Sequence, residues 1–302
     1  VQFTIRHQTT YRYADAIHES YTVCHLQPLS DVEQYCTQFE LSSVPHAKMF
    51  AYTDRFGNRV HHFSVIPEHP MLVISARSTV VTARTDGASK ASAEASRRAL
   101  LADAQLVSLY DFLQPSPLVE FGPDLTALSN DIGEPGEDLL AWYVHAGAYI
   151  KEHFEYVKKA TSVRTTVAES VRLRAGVCQD FAHVLIALCR YNAIPARYVS
   201  GYIFSGQADS VLGAEASHAW CEAYLPPLGW LGYDPTNAKL VNDYFVKIAV
   251  GRDYRDVSPV RGVYKGLAQS TMSVNVALDE LYDAERETEL EALHEQEQQQ
   301  QQ

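Results

Sequence analysis

Residues 1–84 are enriched in β-branched and aromatic side chains and broken by turn signals about every ten positions. Segments 3–13, 20–29, 35–44, 48–53, 59–66 and 71–83 read as strands, separated by Pro, Ser or Asp, with Gly57-Asn58 marking a tight turn. No helical period competes with this pattern, so the first part of the chain is expected to be an all-β, sandwich-like domain. Residues 85–98 are small and polar and read as an exposed connection.

The pattern then changes period. Across 138–157, Leu139, Leu140, Tyr143, Val144, Gly147, Ile150, Phe154 and Val157 recur at helical spacing, and 167–174 suggests another helix stopped at Gly176. From Cys178 to Tyr191 almost no polar face remains. A helix apolar nearly all round is normally buried, and Gly176 and Pro195 bracket it. Segment 197–204 reads as a strand, 217–225 and 229–234 as a hairpin around Pro226-Pro227, and 272–278 as one more strand. The expected fold is α+β. It divides into a β domain at 1–85, a linker with connecting helices at 86–135, a second domain of helices on an antiparallel sheet at 136–280, and a tail at 281–302.

Charge sharpens the picture of the tail. The formal net charge is −12, and the stretch from Asp279 to Gln302 carries −8 of it, with nine acids against Arg286 alone. That acidic segment, ending in a Gln298–Gln302 run, suits a solvated helix or disorder. The rest of the chain is nearly balanced and has no basic block, which argues against nucleic acid and anionic membranes as partners. The longest apolar run, 184–189, is far short of the roughly 20 residues that span a bilayer. With no signal-peptide pattern, and five cysteines that form neither a disulfide framework nor a C-x-x-C pair, the expected location is the cytoplasm.

Three residues carry candidate chemistry. Cys178 opens the buried helix, where the helix N-terminus favours a thiolate and backbone amides can donate to an oxyanion. A small apolar residue at a helix start is the plainer reading of Cys178 taken alone. In the strand around His218, alternation puts Ala219, Cys221, Ala223 and Leu225 on an apolar face. His218, Trp220, Glu222 and Tyr224 fall on a polar and aromatic one. Asp234, before Pro235, is either a turn residue or the group that fixes an imidazole tautomer. Asp234 shares a face with His218 only if the hairpin loop is odd in length or a bulge intervenes. Asp180 and Gln179 sit in the first helical turn beside Cys178, Asp180 as a hydrogen-bond anchor before a catalytic group. Trp220 either lines a substrate groove or packs. His183 reads as a core histidine, and His61 and His62 point to opposite faces and so do not share a metal. No metal or cofactor site is expected.

Taken together, the order Cys, His, Asp on helix, strand and strand resembles the bacterial transglutaminase-like superfamily. The matching segments are Gly176-Val177-Cys178-Gln179-Asp180-Phe181-Ala182-His183, Asn192-Ala193-Ile194-Pro195-Ala196-Arg197-Tyr198-Val199-Ser200-Gly201-Tyr202, Ser217-His218-Ala219-Trp220, Gly229-Trp230-Leu231-Gly232-Tyr233-Asp234-Pro235-Thr236-Asn237, and the downstream Gly251-Arg252-Asp253-Tyr254-Arg255-Asp256-Val257-Ser258-Pro259-Val260-Arg261-Gly262. Asp54-Arg55-Phe56-Gly57-Asn58-Arg59-Val60 is similar to the N-terminal region often fused to such domains. The resemblance implies a papain-like core with Cys178 as nucleophile, His218 as base and Asp234 as orienter. It further implies thiol acyl chemistry on a peptide or glutamine amide, by either hydrolysis or transfer; hydrolysis is expected because no residue identifies an amine site that excludes water. A non-catalytic peptide-binding scaffold that keeps the fold is the alternative of a different class.

Overall fold

The computed structural model describes residues 1–84, 95–206 and 217–281. The first strand, β1 (Gln2–Cys24), joins the two segments expected to be separate. It continues through residues 13–19 with register shifts between Arg12 and Ile17 and between His18 and Tyr21. Twenty-three residues at about 3.3 Å each are too long for one small sheet. β1 therefore bends and serves two, and shifts of this kind are how a strand turns a corner. Its first half pairs with β5 (His69–Thr82), which in turn pairs with β2 (Gln34–Val44). Its second half pairs with β4 (Arg59–Val65), which pairs with β3 (Phe50–Thr53). The result is a β-rich half-barrel. Phe63 and Val65 from β4 meet Leu72, Ile74 and Ala76 from β5 in its core.

Residues 85–94 of the expected connection lie outside the described residues. Ser96 is already structural: its side chain accepts from the Ala99 amide and caps the helix α1 (Arg97–Ala102). A 3-10 turn (Ala104–Phe112) and α2 (Pro123–Ile132) follow, and both bury apolar residues in the large core rather than bridging open space. Next come α3 (Leu139–His153), the two-residue strand β6 (Glu155–Tyr156) and α4 (Val167–Leu173). Thr166 and Glu169 close a capping box at the start of α4. A second short strand, β7 (Ala175–Gly176), leads into α5 (Cys178–Tyr191).

The second sheet runs β11 (Lys239–Leu240), β10 (Trp230–Asp234), β9 (His218–Tyr224), β8 (Ala196–Ile203), β12 (Phe245–Gly251), all antiparallel. α5 packs on one face. Its Phe181, Val184, Leu185, Ile186 and Leu188 share a core with Ala219, Cys221 and Ala223, and burial of each large side chain contributes about 1.5–3 kcal/mol. Cys221 thus lies on the helix side, as alternation suggests.

The other face is not open. The half-barrel covers it, so every residue of β9 is buried. Phe3, Ile5 and Val80 pack on Tyr202, Val246 and Ile248, while Leu29 and Phe56 reach the cluster of Trp220, Phe245 and Val250. Polar contacts join the same faces. Gln34 accepts from the Lys247 amide and donates to its carbonyl, and Lys247 binds both Glu222 and Asp31.

After the short helix α6 (Tyr254–Val257), the chain returns to the half-barrel. Strands β13 (Val260–Lys265) and β14 (Ser270–Glu280) pair with the second and first halves of β1. Both fall within the segment 136–280 expected to form the second domain. Local pattern marks a strand but not its partner, and here the partner lies more than 200 residues away. Leu281 ends the described chain, and the acidic tail lies beyond it.

Candidate functional site

Cys178 stands at the first position of α5 and is half-buried. The start of the helix is closed by Asp180. Its carboxylate accepts from the Val177 amide at 2.8 Å and from Thr161 at 2.6 Å, with Ser170 at 3.4 Å. Burial pushes this carboxyl above its usual range, against those three donors. Gly176 makes the approach possible, since a Cβ there would lie 2.6 Å from Asp180 Oδ2. Asp180 is thus an anchor of the helix N-terminus.

His218 begins β9 and Asp234 ends β10. The register sets Trp230 opposite Tyr224 and Tyr233 opposite Cys221, with five residues, 225–229, between the strands. The odd loop puts His218, Trp220, Glu222 and Asp234 on one face, which settles the parity left open by the sequence. His218 Nε2 lies 2.8 Å from Asp234 Oδ2, and both side chains are fully buried. Asp234 also accepts from the Thr236 amide at 2.9 Å and from Asn237 Nδ2 at 2.7 Å, so its orientation is fixed from three directions.

Burial works against both charges, but the pairing wins. The Asp234 carboxylate raises His218 to about 10, and Cys178 adds to the shift. Asp234 itself is held below the usual carboxylate range: burial would raise it, but His218, Asn237 and Thr236 lower it. His218 Nδ1 is buried and has no hydrogen-bond partner among the described residues. An imidazole held this way has one nitrogen engaged and the other free to exchange a proton.

The remaining sequence candidates divide cleanly. Trp220 is fully buried and does not line an open groove. It packs edge-on against Phe245 at 5.3 Å and lies beside His218 at 6.4 Å. A Cβ on Gly201 or Gly232 would intrude on its indole at 2.4 and 3.3 Å, so these two glycines seat the ring across neighbouring strands. Gln179 is buried in the first turn, and its Nε2 has no partner among the described residues. His183 accepts from the Tyr254 amide at 3.1 Å, and burial lowers it to about 4, so it stays neutral in the core. His61 and His62 do point apart, His61 toward Phe39 and His62 toward Phe50. Among the described residues no three His, Cys, Asp or Glu side chains cluster as metal ligands.

Sequence reasoning missed three supports. Thr236 and Asn237 hold Asp234, and an Asp followed by Thr two positions on is an Asx-turn signature that could have indicated it. Glu222 lies between Arg197 and Lys247 at 2.6 and 2.8 Å, and these cations overcome burial to hold it at about 2. Arg190, fully buried, donates to the carbonyls of Ala196, Gln114 and Arg252 and pins the far end of α5.

A half-barrel fused to a helix-on-sheet core, with Cys at a helix start and a His–Asp pair on adjoining strands, defines a class that the comparisons identify. The chain belongs to the transglutaminase-like superfamily. Residues 126–235 match the transglutaminase-like superfamily core, and residues 3–81 match the bacterial transglutaminase-like N-terminal region. The chain is 32% identical over 290 residues to the uncharacterized protein Rv2569c of Mycobacterium tuberculosis, covering 91% of each chain. It is 29% identical over 278 residues to an uncharacterized Mycobacterium leprae protein, covering 91% of this chain and 97% of that one. Among solved structures it resembles a "putative cysteine protease" from Cytophaga hutchinsonii, with TM-score 0.74 and 26% identity over 93% of this chain and 92% of that one.

Proposed function

We propose that this chain is a thiol-dependent acyl enzyme that cleaves an amide, with Cys178 as nucleophile, His218 as general base and acid, and Asp234 as orienter. The observation that carries the reading is the buried His218–Asp234 bond at 2.8 Å, which leaves Nδ1 free while Cys178 acts on the same ring. In the proposed cycle His218, raised to about 10, already holds the proton at neutral pH, and the Cys178 sulfur attacks the carbonyl of a peptide or a glutamine side chain as the thiolate. The oxyanion is met by the first-turn amides of α5, which the N-cap residue, Val177, has no side-chain acceptor to occupy. The unpartnered Gln179 Nε2 supplies a further donor. His218 then gives its proton to the leaving amine, and a thioester remains. Water attack, with His218 again taking the proton, releases the acid and the free thiol.

Hydrolysis is the favoured outcome because water needs no binding site, whereas transfer requires an amine site that also excludes water. The test is trapping of a thioester from an activated acyl ester, read by intact mass. Wild type should gain the acyl mass and Cys178→Ala should not, while Cys189→Ala and Cys221→Ala behave as wild type. Equal acylation of Cys178→Ala would overturn the proposal, and a wild type that never acylates would favour the scaffold reading.

A further inference from the structure

A cleft of about 570 Å³ opens between the segment around Leu118, the 163–164 loop and the α6 region. Arg164, Arg255 and Arg261 line it together with the apolar surfaces of Leu118, Val163 and Tyr254, and no acidic residue does. None of the three guanidinium groups makes an ion pair among the described residues, although Arg261 donates to the Arg255 carbonyl at 3.0 Å. In a protein with 37 acids against 25 bases, an acid-free cleft with three arginines outside any ion pair among the described residues is a departure from the whole.

The walls of the cleft are tied to the start of α5. Thr161, two residues before Val163, binds Asp180, which is two residues beyond Cys178. The Tyr254 amide binds His183 one turn further along the same helix. The Tyr254 ring lies 6.3 Å from Tyr198. Burial pushes that Tyr198 phenol up.

We infer that this cleft binds the acidic stretch of a polypeptide substrate, its arginines pairing with Asp or Glu side chains that flank the amide presented to Cys178. Arg forks carboxylates bidentately, and each charge-assisted pair is strong and directional. The apolar walls suit the stems of the same residues. The inference rests on the acyl-enzyme reading for its purpose but not for its measurement, because binding is read without turnover.

The experiment uses the full chain carrying Cys178→Ala and a fluorescein-labelled decapeptide of alternating Glu and Gln, followed by anisotropy. The expected result is saturable binding that weakens with salt and falls at least tenfold in Arg164→Gln/Arg255→Gln, with an alternating Asn and Gln decapeptide failing to bind. Equal affinity for the two peptides, or for the arginine variant, would overturn the inference. So would displacement of the probe by inorganic phosphate at a matching concentration, which would reassign the cleft to small anions. Loss of peptide binding leaves thioester trapping in wild type untouched, and failure of trapping leaves peptide binding untouched, so the two proposals fail separately.

Discussion

Asp234 Oδ2 sits 2.8 Å from His218 Nε2 with both side chains excluded from solvent. Burial opposes both charges, yet the carboxylate lifts the imidazole to about 10 while the imidazole draws the carboxyl below its usual range. An unfolded histidine titrates at about 6.5, so the native state binds the extra proton between about 6.5 and 10. The stability gained is complete below 6.5 and is lost as pH rises through about 10. The Asp234 share has the opposite sense: it is present above about 3.9 and lost as acid protonates the native carboxylate. The melting temperature of wild type should therefore fall between pH 7 and pH 10 more steeply than that of Asp234→Asn. Parallel curves would show that the pair is not charged.

Alkylation should discriminate among the five thiols. Cys24, Cys189 and Cys221 are buried, and Cys178 and Cys36 are partly accessible. Burial pushes Cys24 up to about 12 and raises Cys36 and Cys189 as well. Iodoacetamide at pH 7 should modify Cys178 first, because it is partly accessible at the start of α5 while burial raises Cys36, the other accessible thiol. Peptide mapping checks this, and Cys36 labelled ahead of Cys178 would contradict the proposed pairing with His218.

Gly176→Ala should disturb the helix start without touching any reacting group. The new methyl would meet the Asp180 carboxylate at 2.6 to 2.9 Å, and a clash of this kind costs about 1–3 kcal/mol. Asp180 would have to move, releasing the Val177 amide and Thr161 hydroxyl it holds. Urea denaturation should show the loss, and acylation should slow because Cys178 begins the displaced turn. Unchanged stability would mean the close approach is dispensable.

The elements legible in the sequence are those set by local pattern. The all-apolar run after Gly176 gave α5 with its start at Cys178, and alternation around His218 placed Cys221 against the helix. What stayed hidden depends on distant partners. β14 reads as a strand, but nothing in Ser270–Glu280 says that it pairs with Phe3–Tyr13. Trp220 belongs to a polar, aromatic face that suggests a groove, and it is buried because the half-barrel closes over it. The His218–Asp234 relation turned on loop parity. Counting five residues from 225 to 229 needs the strand ends, and those are the least legible part of a pattern.

The Asp54–Asn58 segment, read from sequence as a turn, proves to be a joint. Gly57 adopts a φ of +88°, and Asp54 accepts from the Phe56 and Asn58 amides. This geometry drives Asn58 into the second sheet, where it receives the Val250 amide and donates to the Val250 carbonyl, both at 2.8 Å. β12 is the edge strand there, so Asn58 satisfies backbone groups that no neighbouring strand reaches. Asn58→Ala would leave two buried main-chain groups unpaired, at about 1–3 kcal/mol each. Asn58→Asp should not rescue it, since a carboxylate cannot donate to the Val250 carbonyl and would face Asp54. Because Val250 packs in the cluster of Trp220 and Phe245 beside His218, acylation of Cys178 should slow along with the loss of stability. Denaturant titration and thioester trapping on the same samples measure both, and a loss under about 0.5 kcal/mol, the usual range for a surface change, would show that the joint does not hold the two sheets together.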